Sequence, residues 1–149
     1  MSSLLTIGYE GTVQDALLDR LQAADVALLI DVRAIPQSRK PGFSKRLLDA
    51  SLEARGIRYA HLRDLGTPKP GREAARRGDG AEMARVFDAH MRTAPAIAAL
   101  AEAVTLAAGA RSCLLCFEAD HRTCHRSIVA RLICERTGQG VEHLAAEQV

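Results

Sequence analysis

Residues 26–32, Val-Ala-Leu-Leu-Ile-Asp-Val, are apolar at consecutive rather than alternate positions, with Asp31 as the one interruption. Such a run needs apolar cover on both sides, the environment of a strand inside a parallel sheet. Parallel strands are joined by crossovers, so the rest of the chain has to supply helices between strands. Leu4 to Gly8 reads as a first strand, followed by a helix that Thr12 can cap and whose apolar positions are Val13, Ala16, Leu17, Leu18 and Leu21. Pro36, Pro41 and Gly42 mark Ala34 to Phe43 as a loop; a helix from Ser44 to Arg55 stops at Gly56, and Ile57 to Leu62 alternates like a strand. Arg63 to Gly80, with two prolines, four glycines and many charges, reads as a long loop of the kind that forms lids and binding segments. Helices follow over Ala81 to Arg92 and Pro95 to Ala108, with Pro95 opening the second.

The segment from Ser112 to Gly138, SCLLCFEADHRTCHRSIVARLICERTG, begins as a short buried strand, Cys113 to Phe117, and ends as a helix carrying Ile128, Val129, Leu132 and Ile133 at helical spacing. Thr123 can cap that helix and Gly138 can close it, and Val141 to Leu144 makes a short last strand. This alternation predicts an α/β fold: one domain over residues 1–149, a three-layer sandwich around a mostly parallel sheet of about five strands. Ligands bind beyond the carboxyl ends of strands in such sheets. Tyr9-Glu10, Asp31-Val32-Arg33 and Cys116 to Arg126 therefore share one rim.

With Thr123 as cap, Cys124, His125 and Arg126 occupy the first helical turn, where free N–H groups and the helix dipole favour an anion or a thiolate. A cysteine there beside a histidine and an arginine is expected to ionise readily. Cys124 is thus the first candidate nucleophile and Cys116 the second, with His125 and Glu118 handling protons. Cys113 and Cys134 read as small core residues. A zinc site built on Cys113-x-x-Cys116 is disfavoured, because residues three apart on a strand point to opposite faces; no metal and no cofactor are assigned.

From Arg33 to Arg46 the chain holds five basic residues and no acidic one. Ser38 and Arg39 can present a hydroxyl and a guanidinium to a phosphate or carboxylate, and Arg126 can clamp the same anion. Arg33, at the end of an apolar strand, needs an anionic partner, with Asp31, Glu10 and a ligand as the candidates. Tyr9 and Asp31 complete the substrate-binding set, whereas Lys69 to Arg77 reads as solvated surface. The net charge of +2 points away from a globally basic nucleic-acid binder and leaves only a local basic surface for that role. Residues 1–8 lack the basic n-region of a secretory signal, and Ala94 to Ala110, mostly alanine and containing Glu102, suits a packed helix better than a membrane span. A reducing cytoplasm is the expected location, where the four cysteines serve as free thiols, ligands or catalysts.

The elements IGYEG, LIDVRAIPQSR, GIRYAHLRDLG and LLCFEADHRTCHRSIVA, in this order, resemble the family known as domain of unknown function 488. The resemblance covers nearly the whole chain and implies an α/β domain whose matching positions are Gly8, Asp31, Arg33, Pro36, Ser38, Arg39, Gly66, Cys116, Glu118, Cys124, His125 and Arg126. It carries no established reaction. A weaker likeness is to rhodanese-type sulfurtransferases and cysteine phosphatases, through LIDVR and the spacing of Cys116 and Arg122. Glu118 and Asp120 would repel a phosphate in that loop, and no glycine turns its amides inward. The expectation is an enzyme that uses a cysteine nucleophile, a transferase or hydrolase, on a small anionic ligand or nucleotide. A non-catalytic module binding nucleotide or nucleic acid through the basic rim is the alternative, and a thiol redox sensor built on Cys116 and Cys124 the second.

Overall fold

The apolar runs form one sheet in the computed structural model, which describes residues 2–148; Met1 and Val149, the two ends of the expected domain, lie outside the described residues. The strands are β1 (Leu4–Gly8), β2 (Leu28–Asp31), β3 (Arg58–His61), β4 (Ser112–Cys116) and β5 (Val141–His143). They lie in the order β3-β2-β4-β1-β5, and every neighbouring pair is parallel. Strand β4 is the middle one, with Cys116 in register with Gly8 on one side and Leu115 with Asp31 on the other.

Because side chains alternate across a strand, each strand feeds two cores. Leu5, Ile7, Leu29, Cys113 and Leu115 pack beneath α1 (Gln14–Ala23) and α2 (Lys45–Ala54). Leu4, Leu28, Ile30, Leu114 and Cys116 pack on the opposite face, beneath α3 (Lys69–Arg76), α4 (Gly80–His90), α5 (Ala94–Gly109) and α6 (His125–Thr137). Helices cover both faces, giving the three layers of an α/β sandwich. Each fully buried leucine contributes about 1.5–3 kcal/mol, so the two faces together supply the main stabilising term. Among the described residues no single helix is long and apolar enough to cross a membrane.

Three local expectations are corrected. The loop expected over Arg63 to Gly80 contains a single 3-10 turn, Arg63–Leu65, and the helix α3. Pro70 lies in the first turn of α3, where its missing N–H costs nothing, Ala74 and Ala75 are buried, and Lys69, Glu73 and Arg77 among the charged residues that suggested a loop are exposed. Thr12 does not cap α1: Val13 holds that position, and the Thr12 hydroxyl is buried without a hydrogen-bond partner. Thr123 does not cap α6 either. It ends a 3-10 turn, His121–Thr123, and Cys124 takes the cap position, so the first turn of the helix begins at His125.

Candidate functional site

Strands β1, β2 and β4 end at the same level, and the segments leaving them are tied to one another. The Tyr9 amide donates to the Cys116 carbonyl at 3.3 Å, Glu10 to Phe117 at 2.8 Å and Val32 to Leu115 at 3.1 Å. Above this level lies a cavity of about 330 Å³, lined by Tyr9, Arg33, Cys116, Glu118 and His125 from the rim and by Thr67, Arg72 and Arg76 from α3 and its approach.

Cys116 forms part of the cavity wall; Cys124, fully buried, lies behind it, and the two are joined by a disulfide. The sequence ranks Cys124 first, and the structure reverses the order: a residue at the cap of α6 points inward beneath the strand end, not into the opening. Nη1 of Arg126 donates to Sγ of Cys116 at 3.3 Å, and Sγ of Cys116 lies 3.5 Å from Oε2 of Glu118. Burial raises the carboxyl of Glu118 above the usual carboxylate range, against the attraction of Arg126.

His125 is 8% exposed, and its Nε2 meets the carbonyl oxygen of Val32 at 2.7 Å. A carbonyl can only accept, so Nε2 carries the proton and Nδ1 keeps its lone pair, 3.8 Å from Sγ of Cys124. Burial pushes the imidazole down to about 4, which keeps it neutral at physiological pH.

Arg126 is fully buried, lies outside the cavity lining and does not serve as the anion clamp expected of it. Its guanidinium donates to Thr6 Oγ1 at 3.1 Å, to the Glu118 carbonyl and to the Ala119 carbonyl at 3.3 Å, in addition to Cys116. It thereby holds the 117–120 turn onto the end of the sheet. Burial lowers it to about 10, still cationic at neutral pH.

Arg33 lines the cavity, but most of its donors are engaged: with Asp31 at 2.7–3.1 Å, with the Tyr9 hydroxyl at 3.2 Å and with the Phe43 carbonyl at 2.7 Å. Among the three partners considered for it, Asp31 is the one in contact. Asp31 also accepts from Tyr59 at 2.5 Å, is fully buried and does not line the cavity. Tyr9 is in the lining, its ring stacked on Phe43 with centroids 4.6 Å apart. Ser38 and Arg39 stand away from it. The Ser38 hydroxyl accepts from the Lys40 amide at 3.0 Å within the loop, and Arg39 is exposed.

Sequence reasoning missed Arg72 and Arg76, which it assigned to solvated surface. Nη1 of Arg72 donates to the Thr67 carbonyl at 2.9 Å, while its Nε is buried without a partner. The four-residue spacing of these arginines, flanking buried Ala74 and Ala75, is the signal that a helix places both on one face.

The family model described as "Domain of unknown function DUF488" matches residues 14–133. The chain belongs to the DUF488 family. The match spans α1 through most of α6 and includes the cavity residues from Arg33 to His125. No curated protein and no solved structure matches the chain.

Proposed function

We propose that this DUF488 chain is a cysteine-dependent enzyme of the cytoplasm that acts on a small anionic substrate, a nucleotide or another phosphate- or carboxylate-bearing molecule. The observation that carries the reading is the pairing within one cavity of Cys116 with Arg72, whose buried Nε has no partner among the described residues. A guanidinium in a cavity wall with a donor left over is an acceptor-seeking group, and an oxyanion is the acceptor that fits a guanidinium best. Arg76 adds positive charge to the same wall, and Arg33, held in place by Asp31, adds N–H dipoles to it. Behind the wall, Arg126 donates to the Cys116 sulfur and favours its thiolate once the disulfide with Cys124 is reduced, and Glu118 stands within reach for proton transfer.

The test is calorimetric titration of the purified chain with inorganic phosphate, nucleoside monophosphates and small dicarboxylates. Saturable binding of one of these classes, lost in Arg72→Ala, is the expected result, with turnover of the bound compound lost in Cys116→Ala. Absence of saturable anion binding overturns the reading. Oligonucleotide binding with a steep salt dependence would replace it with a nucleic-acid-binding module.

A further inference from the structure

Three donor groups converge beneath the cavity: Sγ of Cys116 at the end of β4, Sγ of Cys124 at the cap of α6 and a nitrogen of His125 one residue later, all within 4.8 Å of one another and all buried. We propose that, once a thiol reductant has opened the Cys116–Cys124 disulfide and the two sulfurs separate, these residues bind one zinc-type divalent cation and leave its fourth position open toward the cavity. The proposal goes beyond the enzymatic reading above by giving the thiolates a role as ligands, and it rests on that reading only for the use made of the open position.

Four observations support it. The imidazole is oriented as a ligand: Nε2–H is fixed on the Val32 carbonyl at 2.7 Å, so the lone pair on Nδ1 faces the sulfurs. Metal-bound histidines are held in this way, by a hydrogen bond from the nitrogen that does not bind the metal. Second, the disulfide joins residues whose Cα atoms stand 7.4 Å apart. Disulfides span roughly 4.4–6.8 Å between Cα atoms, whereas two thiolates on a tetrahedral ion with bonds of about 2.3 Å keep their sulfurs roughly 3.8 Å apart and suit a wider backbone separation. Third, Nη1 of Arg126 lies 3.3 Å from the Cys116 sulfur, a donor placed to support the thiolate form that a metal ligand takes. Fourth, Cys116 and His125 belong to the cavity wall while Cys124 closes the back. Two sulfurs and one imidazole select zinc or a similar ion over magnesium or calcium, and three protein ligands with an open position are the pattern of a catalytic site. Glu118 lies outside the ligand set but next to Cys116, where it can accept a proton from a water in the open position. Binding converts two thiols to thiolates and releases their protons to solvent.

The test uses the full chain, reduced and stripped with a chelator, then titrated with cobalt(II) as a spectroscopic probe and displaced by zinc. Thiolate-to-cobalt charge-transfer absorption saturating at one equivalent per chain, and lost in Cys116→Ser, Cys124→Ser and His125→Asn, is the expected result. Cys134→Ser, which alters a sulfur outside the cluster, retains the band. Circular dichroism establishes that each variant is folded. If one ligand variant does not fold, the charge-transfer intensity of the native chain still decides, since it reports directly on sulfur coordination. No charge-transfer band in the native chain, or a full band in Cys124→Ser, overturns the proposal. Metal binding without any anion binding would sink the enzymatic reading alone, and undiminished turnover by the stripped chain would sink the metal site alone.

Discussion

Nη2 of Arg33 stands 2.7 Å from Oδ2 of Asp31, with the side chains 5% and 0% exposed. An ion pair this deeply buried is costly to break from one side, because the remaining charge has no solvent to retreat to. Asp31→Asn is expected to lower stability by about 3–5 kcal/mol, while Asp31→Asn combined with Arg33→Met recovers most of the loss. Urea unfolding of the two single variants and the double variant measures the coupling. Equal and additive losses would mean that the pair contributes nothing as a unit.

Tyr59 donates its hydroxyl proton to the same Asp31 at 2.5 Å. Burial first, then the adjacent carboxylate, push its ionisation well above the ordinary phenol range. The unfolded chain loses this proton near pH 10, the folded chain does not, so the contribution to stability is complete below about pH 10 and is lost as pH rises further. In a Tyr9→Phe background Tyr59 is the only tyrosine. Ultraviolet titration of that variant should show no phenolate as pH passes about 10 until the protein unfolds; a transition there in the folded state refutes the assignment.

Gly8 lies under the turn that carries Glu118, and a Cβ on it would overlap the Glu118 carbonyl oxygen. Backbone cannot yield as a flexible side chain does, so Gly8→Ala should cost about 1–3 kcal/mol or more and displace the turn. Gly109, at the end of α5, faces open space, and Gly109→Ala should instead stabilise by about 0.5–1 kcal/mol. Thermal unfolding of both variants tests this opposition in sign.

Arg126 holds the 117–120 turn through acceptors on two elements. Arg126→Lys keeps the charge but not the planar fork, and is expected to cost about 2–3 kcal/mol. Amide hydrogen exchange in the turn should accelerate while exchange in β1 and β2 stays protected. Acceleration spread evenly over the sheet would indicate a purely global loss.

The sheet was legible because strands covered on both faces carry continuous apolar runs, and residues 4–8, 28–31 and 112–116 have them. The meeting of Arg33, Cys116 and His125 was legible for a related reason: polar residues at the carboxyl ends of parallel strands converge wherever the helices return on both sides. The helix α3 was not, because KPGREAAR is rich in charge and carries a proline and a glycine that read as loop signals, whereas Pro70 falls in the first turn, where it is tolerated, and Gly71, Ala74 and Ala75 are buried as α3 packs against α4. Which thiol faces the cavity was also hidden. That depends on a one-residue shift of the α6 cap from Thr123 to Cys124, and caps are set by local hydrogen bonds that hydrophobic spacing does not report.

The middle position of β4 bears on how the protein can be made. β1 and β2 are not neighbours; both wait for residues 112–116 to slide between them. A nascent chain that has emerged only as far as residue 111 can zip β2 to β3, but β1 has no strand to bond, and an apolar cleft stands open where the fourth strand belongs. Such non-local closure is slow and leaves sticky surface uncovered in the meantime. Cys116 arrives on the very strand that seals this cleft, so the sulfur reaches its place in the wall in the same event that completes the sheet.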